Sequence, residues 1–172
     1  MSSHEGSLTF ARDLVDVRVI SSVEALPLRQ TVLRPGRSIA ASQFPGDDAV
    51  ATCHYGAFSE GQLLGIASLY FAELPEQPGA TAWQLRGMAT APEARGMGFG
   101  RALVLACIAF ARESGARLLW CNARTTAVGF YLKLGFQTLG GEFEIPDVGP
   151  HFRMTLRFGE TIQRPVSPGL GL

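Results

Sequence analysis

Apolar and polar positions along the chain divide it into ten short elements. Val15, Val17 and Val19 alternate with Asp16 and Arg18, the period-two pattern of a half-buried strand. Ser21 and Glu24 then stand at the spacing of a capping box. Leu26, Val32 and Leu33 give a helical face, which Arg34-Pro35-Gly36 ends. Pro27 falls inside that helix and predicts a kink or a delayed start. Residues 36–51 are rich in Gly, Pro, Ser and Asp and read as a long loop or a short irregular helix. Residues 53–59 and 62–71 are strand-like on either side of Glu60-Gly61, which signals a hairpin. A loop at Pro75-Glu76-Gln77-Pro78-Gly79 precedes a further strand over residues 82–89.

The longest periodic segment covers residues 98–114, with Leu103, Cys107, Phe110 and Ala111 on one helical face and Gly115 as its stop. Residues 118–121 are continuously apolar, as in a strand buried on both faces. Residues 125–134 predict another helix, stopped at Gly135. Two final strands over 136–143 and 152–158 flank a loop that holds Pro146, Gly149 and Pro150. Residues 1–12 read as a loose polar arm, and residues 159–172 as a Pro- and Gly-rich tail. The order β-α-β-β-β-α-β-α-β-β predicts one mixed α/β domain over residues 13–158.

Composition narrows the function classes. Apolar residues make up 47% of the 172, enough to bury a core, which excludes a disordered chain. Acids and bases balance at 15 each, so no long-range field draws in nucleic acid or an anionic membrane. Lys133 is the only lysine and sits between two leucines, which rules out a Walker phosphate loop. Cys53, Cys107 and Cys121 are scattered and never form Cys-x-x-Cys, and His4, His54 and His151 are scattered too, so neither a disulfide framework nor a bound metal is expected. With no apolar run near the ~20 residues of a membrane span and no signal-like start, a cytoplasmic location is the expectation.

The sharpest chemical feature is Arg95-Gly96-Met97-Gly98-Phe99-Gly100-Arg101, directly after a strand and at the start of the longest helix. Glycines there let backbone N–H groups converge with no Cβ in a ligand's way, and the helix start adds orphan donors and the positive end of its dipole. A pyrophosphate is the natural guest, with Arg95 and Arg101 to neutralise it. A dinucleotide fingerprint fails, because Arg101 stands where a small residue is needed and Trp120 where a ribose-binding acid belongs.

The pattern Arg/Gln-x-x-Gly-x-Gly/Ala, met by Arg95, Gly98 and Gly100, resembles the GNAT (GCN5-related N-acetyltransferase) superfamily. The stretch Leu85-Arg86-Gly87-Met88-Ala89-Thr90-Ala91-Pro92-Glu93-Ala94-Arg95 is similar to that family's passage from its fourth strand into the loop. Further on, Asn122-Ala123-Arg124 and Gly129-Phe130-Tyr131-Leu132-Lys133-Leu134-Gly135-Phe136 resemble its second signature. The resemblance implies a mostly antiparallel sheet of six to seven strands with helices on both faces, splayed between strands four and five. It also implies acetyl-CoA as co-substrate and no metal. Met88, Ala89 and Thr90 would then meet the pantetheine arm, residues Arg95, Gly96, Met97, Gly98, Phe99, Gly100 and Arg101 the pyrophosphate, and Asn122 the splay. Homodimers are common in the family.

The implied reaction is direct transfer of an acetyl group to a primary amine of a small molecule or a peptide N-terminus. A backbone N–H, that of Met88, would stabilise the charge that develops on the thioester oxygen. Tyr131 would protonate the leaving thiolate, the bland alternative being a core aromatic beside Phe130 and Phe136. Candidate bases are Glu142, Glu144 and His151, with Glu73 and Glu76 in the loop before the fourth strand; each also reads as an ordinary surface or structural residue, and a water relay would need none. Arg86 and Arg124 read either as binders of a substrate carboxylate or as surface cations. Cys121, in a buried apolar strand, is too inert for a covalent route. The alternative reading is a non-catalytic acyl-CoA-binding or sensing domain, which would have no need of a proton donor at Tyr131.

Overall fold

The computed structural model describes residues 15–159 of the chain. The expected arm over residues 1–12, His4 and all of the expected tail except Gly159 lie outside these residues. In chain order the elements are β1 (Asp16–Ile20), α1 (Ser22–Leu33), β2 (Cys53–Ser59), β3 (Gln62–Phe71), β4 (Ala82–Thr90), α2 (Phe99–Glu113), β5 (Leu118–Arg124), α3 (Val128–Lys133), β6 (Gln137–Ile145) and β7 (Gly149–Arg157). The strands form one sheet in the order β1-β2-β3-β4-β5-β7-β6. Every neighbouring pair is antiparallel except β4 and β5, which run parallel.

Local chemistry explains most element boundaries. The Ser21 side chain accepts from the Glu24 N–H while the Glu24 carboxylate accepts from the Ser21 N–H, so the capping box forms as its spacing predicts. The helix runs through Pro27, which neither delays nor ends it. Glu60 and Gly61 both have positive φ (49° and 77°), the two-residue turn whose twist matches an antiparallel hairpin. Residues 36–51 hold one short turn of 3-10 helix, Ala40–Ser42.

Two expectations need correction. Residues 125–134 open with a 3-10 turn, Thr125–Ala127, before true α-helix begins at Val128. The loop expected around Pro146, Gly149 and Pro150 is only residues 146–148, with Gly149 and Pro150 inside β7 and paired with Ile145 and Glu144. Turn-forming residues made the loop look long, but β7 is held through Phe152 and His151 onto Ala123 and Arg124 of β5.

Helices cover both faces. Leu103, Val104 and Cys107 of α2 are wholly buried in the main core with Ala67, Leu69 and Leu119. Ala25 of α1 packs on the other face against Ile66 and Ala89. Residues 118–121 are buried throughout, as a strand covered on both sides should be. No helix among the described residues is long and apolar enough to cross a membrane.

Candidate active site

The site begins where β4 and β5 part. Their registered pairs end at Leu85↔Cys121, yet β4 continues to Thr90 and β5 to Arg124. On its other edge β4 bulges: Ile66 faces Ala89 and Ser68 faces Arg86, so Gly87 and Met88 together oppose the single residue Ala67. Such a bulge bends a strand and re-aims its backbone. Gly87 supplies the positive φ (61°) it needs, and a Cβ there would crowd Arg29 Nε and Phe44 Cε2 at 3.3 Å. The backbone of Met88 therefore reaches the gap without a partner strand on that side.

One cavity, about 680 Å³, opens beside this gap under the start of α2. Gly96 and Gly98 have φ of 75° and 90°, and a Cβ on either would meet no atom within 4 Å. Positive φ at near neighbours turns successive N–H groups to one side, which makes an anion-binding concavity. Gly98 is the N-cap of α2 and brings no side chain to its orphan donors, so these stay available to a ligand. Gly100 is crowded instead: a Cβ would lie 3.0 Å from the Met88 methyl, so glycine lets the helix start approach β4. Arg95, Arg101 and Lys133 line this cavity, and among the described residues no acid does. Donors, dipole and cations fit a pyrophosphate, and the adjoining apolar floor of Ala89, Phe99 and Phe130 fits an extended thiol arm.

A second cavity of about 340 Å³ joins the first, since Met88, Arg95, Thr126, Ala127 and Phe130 border both. Tyr131, His151 and Asn122 meet here. Tyr131 is 6% exposed, its ring edge-on to Phe130 and Phe136 at 5.0 and 5.4 Å between centroids. Burial, with smaller contributions from Cys121 and Cys107, pushes its phenol well above the ordinary value, so it keeps its proton at neutral pH. His151 lies opposite Arg124 on β5 and donates Nδ1–H to the Gly149 carbonyl at 2.7 Å. A carbonyl can only accept, so the neutral ring carries its lone pair on Nε2. Cys121 borders the same cavity, but burial pushes its thiol up to about 12, which keeps it an unreactive thiol.

The carboxylates named from sequence fall elsewhere. Glu142 and Glu144 are exposed on β6 and border neither cavity; Glu142 accepts from the Thr125 hydroxyl at 2.9 Å. Glu76 pairs with Arg153 at 2.7 and 2.8 Å, and that hydrogen bonding holds its carboxyl below the usual range. Arg153 also donates to Asn122 Oδ1 at 3.1 Å, which fixes the Asn122 amide. Glu73 accepts from the Gly79 N–H at 3.3 Å. Met97 is 64% exposed and lines neither cavity.

Several site residues escaped sequence reasoning. Thr126, Phe130, Lys133 and Leu134 recur at helical spacing and form one face of the first cavity, a periodicity that was there to be read. Arg34 and Phe44 border the second cavity and had no signal. Nor did the support beneath Phe44: Arg29, wholly buried, donates to Asp47 Oδ2 at 2.6 Å, Asp47 Oδ1 at 3.3 Å, Ser42 O at 3.0 Å and Ser68 Oγ at 3.1 Å. Asp47 accepts as well from the Phe44 N–H and the Tyr70 hydroxyl. His54 bridges Ser68 Oγ and the Asp47 carbonyl. This network ties residues 42–47 onto β2, β3 and α1, one layer behind the bulge.

Comparison with known proteins agrees with this geometry. The model of the acetyltransferase (GNAT) family matches residues 26–136. The uncharacterized N-acetyltransferase YitI of Bacillus subtilis is 38% identical over 146 residues, which span 84% of this chain and 98% of that protein. The streptothricin acetyltransferase of Streptomyces lavendulae is 30% identical over 121 residues, 66% of this chain and 59% of that one. The structure of a GCN5-related N-acetyltransferase from Kribbella flavida superposes with a TM-score of 0.66 at 25% identity, covering 85% of this chain and 99% of that chain.

Proposed function

The chain belongs to the acetyltransferase (GNAT) family, and from that premise we propose that it transfers an acetyl group from acetyl-CoA directly to a primary amine of a small molecule or a peptide N-terminus. One observation carries the reading: the anion-binding cavity and the cavity holding Tyr131 and His151 join at the β4 bulge, where Met88 borders both. A donor bound by its phosphates at Gly96, Gly98 and Gly100 would then lay its thioester beside a re-aimed backbone N–H.

Acetyl-CoA, when bound, would supply a thioester whose carbonyl oxygen gains negative charge as an amine nitrogen bonds to the carbonyl carbon, and whose C–S bond then breaks to release the CoA thiolate. Met88 lies beyond the last β4–β5 pair, and its backbone N–H would donate to that oxygen. Tyr131, protonated at neutral pH, donates to the departing sulfur. The attacking amine must shed its proton, and His151 Nε2 is the acceptor the second cavity offers. Asn122, fixed by Arg153, orients the end of β5 at the splay. The buried, protonated Cys121 thiol is a poor nucleophile, which supports direct transfer over an acetyl-cysteine route.

The test is thiol release from acetyl-CoA in the presence of a panel of amines, with acetyl-CoA binding followed separately by calorimetry. Amine-dependent thiol release supports transfer. Tight acetyl-CoA binding with no thiol release from any amine would show a binding or sensing domain instead.

A further inference from the structure

Beyond the amine, the second cavity constrains what the acceptor must carry. Its charged side chains are all cations: Arg34 at the end of α1, Arg86 on β4, Arg124 at the end of β5, and Arg95 at the mouth shared with the first cavity. Among the described residues no aspartate or glutamate borders it. Among the described residues none of Arg34, Arg86 and Arg124 has an ion-pair partner; Arg18, Arg29 and Arg153 pair with Asp16, Asp47 and Glu76. Asp47 and Glu76, acids in the surrounding loops, are engaged by Arg29 and Arg153.

Two of these guanidinium groups are held in place. Arg86 stacks over Phe44 at 5.0 Å and over Tyr70 at 5.1 Å from the ring centres, and Arg34 lies over the same Phe44 ring at 5.5 Å. Stacking leaves the edge of a guanidinium, where its donors are, free for a planar anion. The Arg29–Asp47 network behind Phe44 fixes that platform. Arg124 faces its cross-strand neighbour His151, so one cation stands beside the candidate base.

We propose that the acceptor is a small amine bearing a carboxylate, bound by Arg86 and Arg124 with Arg34 at the rim, and that polyamines are excluded. Unpaired cations at short range repel a second positive charge and attract a carboxylate. They also favour the uncharged form of the acceptor's amine, the form that attacks, because a neighbouring like charge disfavours protonation. This inference rests on the acetyl-transfer reading.

The experiment compares kcat/KM for the common amino acids as free acids, for the same compounds as carboxamides, and for spermidine. Loss of one charged hydrogen-bond pair corresponds to roughly 10–100-fold. The best acid should therefore exceed its amide by at least about 10-fold, with spermidine poorest. Arg86→Gln and Arg124→Gln should each collapse the acid-to-amide ratio towards one through KM, and Arg86→Lys should restore part of it. Amides or spermidine used as well as the acids would overturn the carboxylate site while leaving acetyl transfer intact. Should no amine release thiol, the transfer reading falls by itself. The carboxylate site is then decided by calorimetry of N-acetyl amino acids against N-acetyl amino amides on the CoA-loaded protein: preference for the acid, lost in Arg86→Gln, supports it, and equal affinity overturns it.

Discussion

Replacing Tyr131 by phenylalanine removes one oxygen and little else, which makes it the cleanest probe of the chemistry. The ring is 6% exposed and its edge-on contacts with Phe130 and Phe136, each worth about 0.5–1.5 kcal/mol, survive the change. At most one neutral hydrogen bond is lost, about 1 kcal/mol of stability, or roughly 2–4 °C in Tm for a domain of this size. The kinetic effect should be far larger. Loss of a positioned proton donor costs about 10²–10⁴-fold in kcat, or roughly 3–5 kcal/mol of barrier. The phenol stays protonated through neutral pH, so this loss should be the same from pH 6 to pH 8. The assays are kcat from thiol release, the acetyl-CoA Kd by calorimetry and Tm by scanning calorimetry. A kcat within about 3-fold of the parent protein at equal Tm would refute the proton-donor role. A kcat loss matched by weaker acetyl-CoA binding would assign Tyr131 to packing instead.

The remaining predictions concern the glycine loop ahead of α2 and the support beneath the second cavity. Gly98→Val should weaken acetyl-CoA binding by at least about 100-fold while the fold survives, because its Cβ enters open space in the cleft and only the left-handed φ of 90° is strained, at roughly 1–2 kcal/mol; undiminished affinity by calorimetry would overturn the pyrophosphate assignment. Arg29→Met should cost about 3–5 kcal/mol in urea unfolding at pH 7, since it strands the buried Asp47 carboxylate. Burial pushes the Asp47 carboxyl up, but hydrogen bonds from Arg29, Tyr70 and the Phe44 N–H outweigh it and hold the group below the usual range. Its contribution is therefore present above the unfolded value of about 4 and is lost as pH falls through the folded value, so the variant's deficit should shrink on acidification. An equal deficit at pH 3 and pH 7 would show that Arg29 acts through packing alone.

Much of this protein was legible in its sequence because the relevant signals are local. The Ser21–Glu24 box and the Glu60-Gly61 turn each report on neighbours within a few residues and form where the pattern put them. A strand forms at Asp16–Ile20, although Val19 is 66% exposed and Ile20 takes the buried place that the alternation assigned to Val19. The glycines and arginines of residues 95–101 make an anion site an expectation for the same reason: backbone conformation and helix-end donors are properties of one short segment. What the sequence could not carry is the outcome of contacts between distant segments. Arg29 carries no local signal, and its burial depends on Asp47 and Ser68 arriving from a loop and a strand. Glu142, Glu144 and His151 were alike as candidate bases; strand pairing turns His151 inwards opposite Arg124 and leaves the two glutamates in solvent. The bulge at Gly87 exists only because β3 offers Ala67 alone against two residues of β4, and the cationic second cavity forms only where the end of α1, the bulge of β4 and the end of β5 come together. Periodicity fixes which face of an element is apolar, but the sign and the partners of a buried charge are set by whichever segments the tertiary fold brings against it.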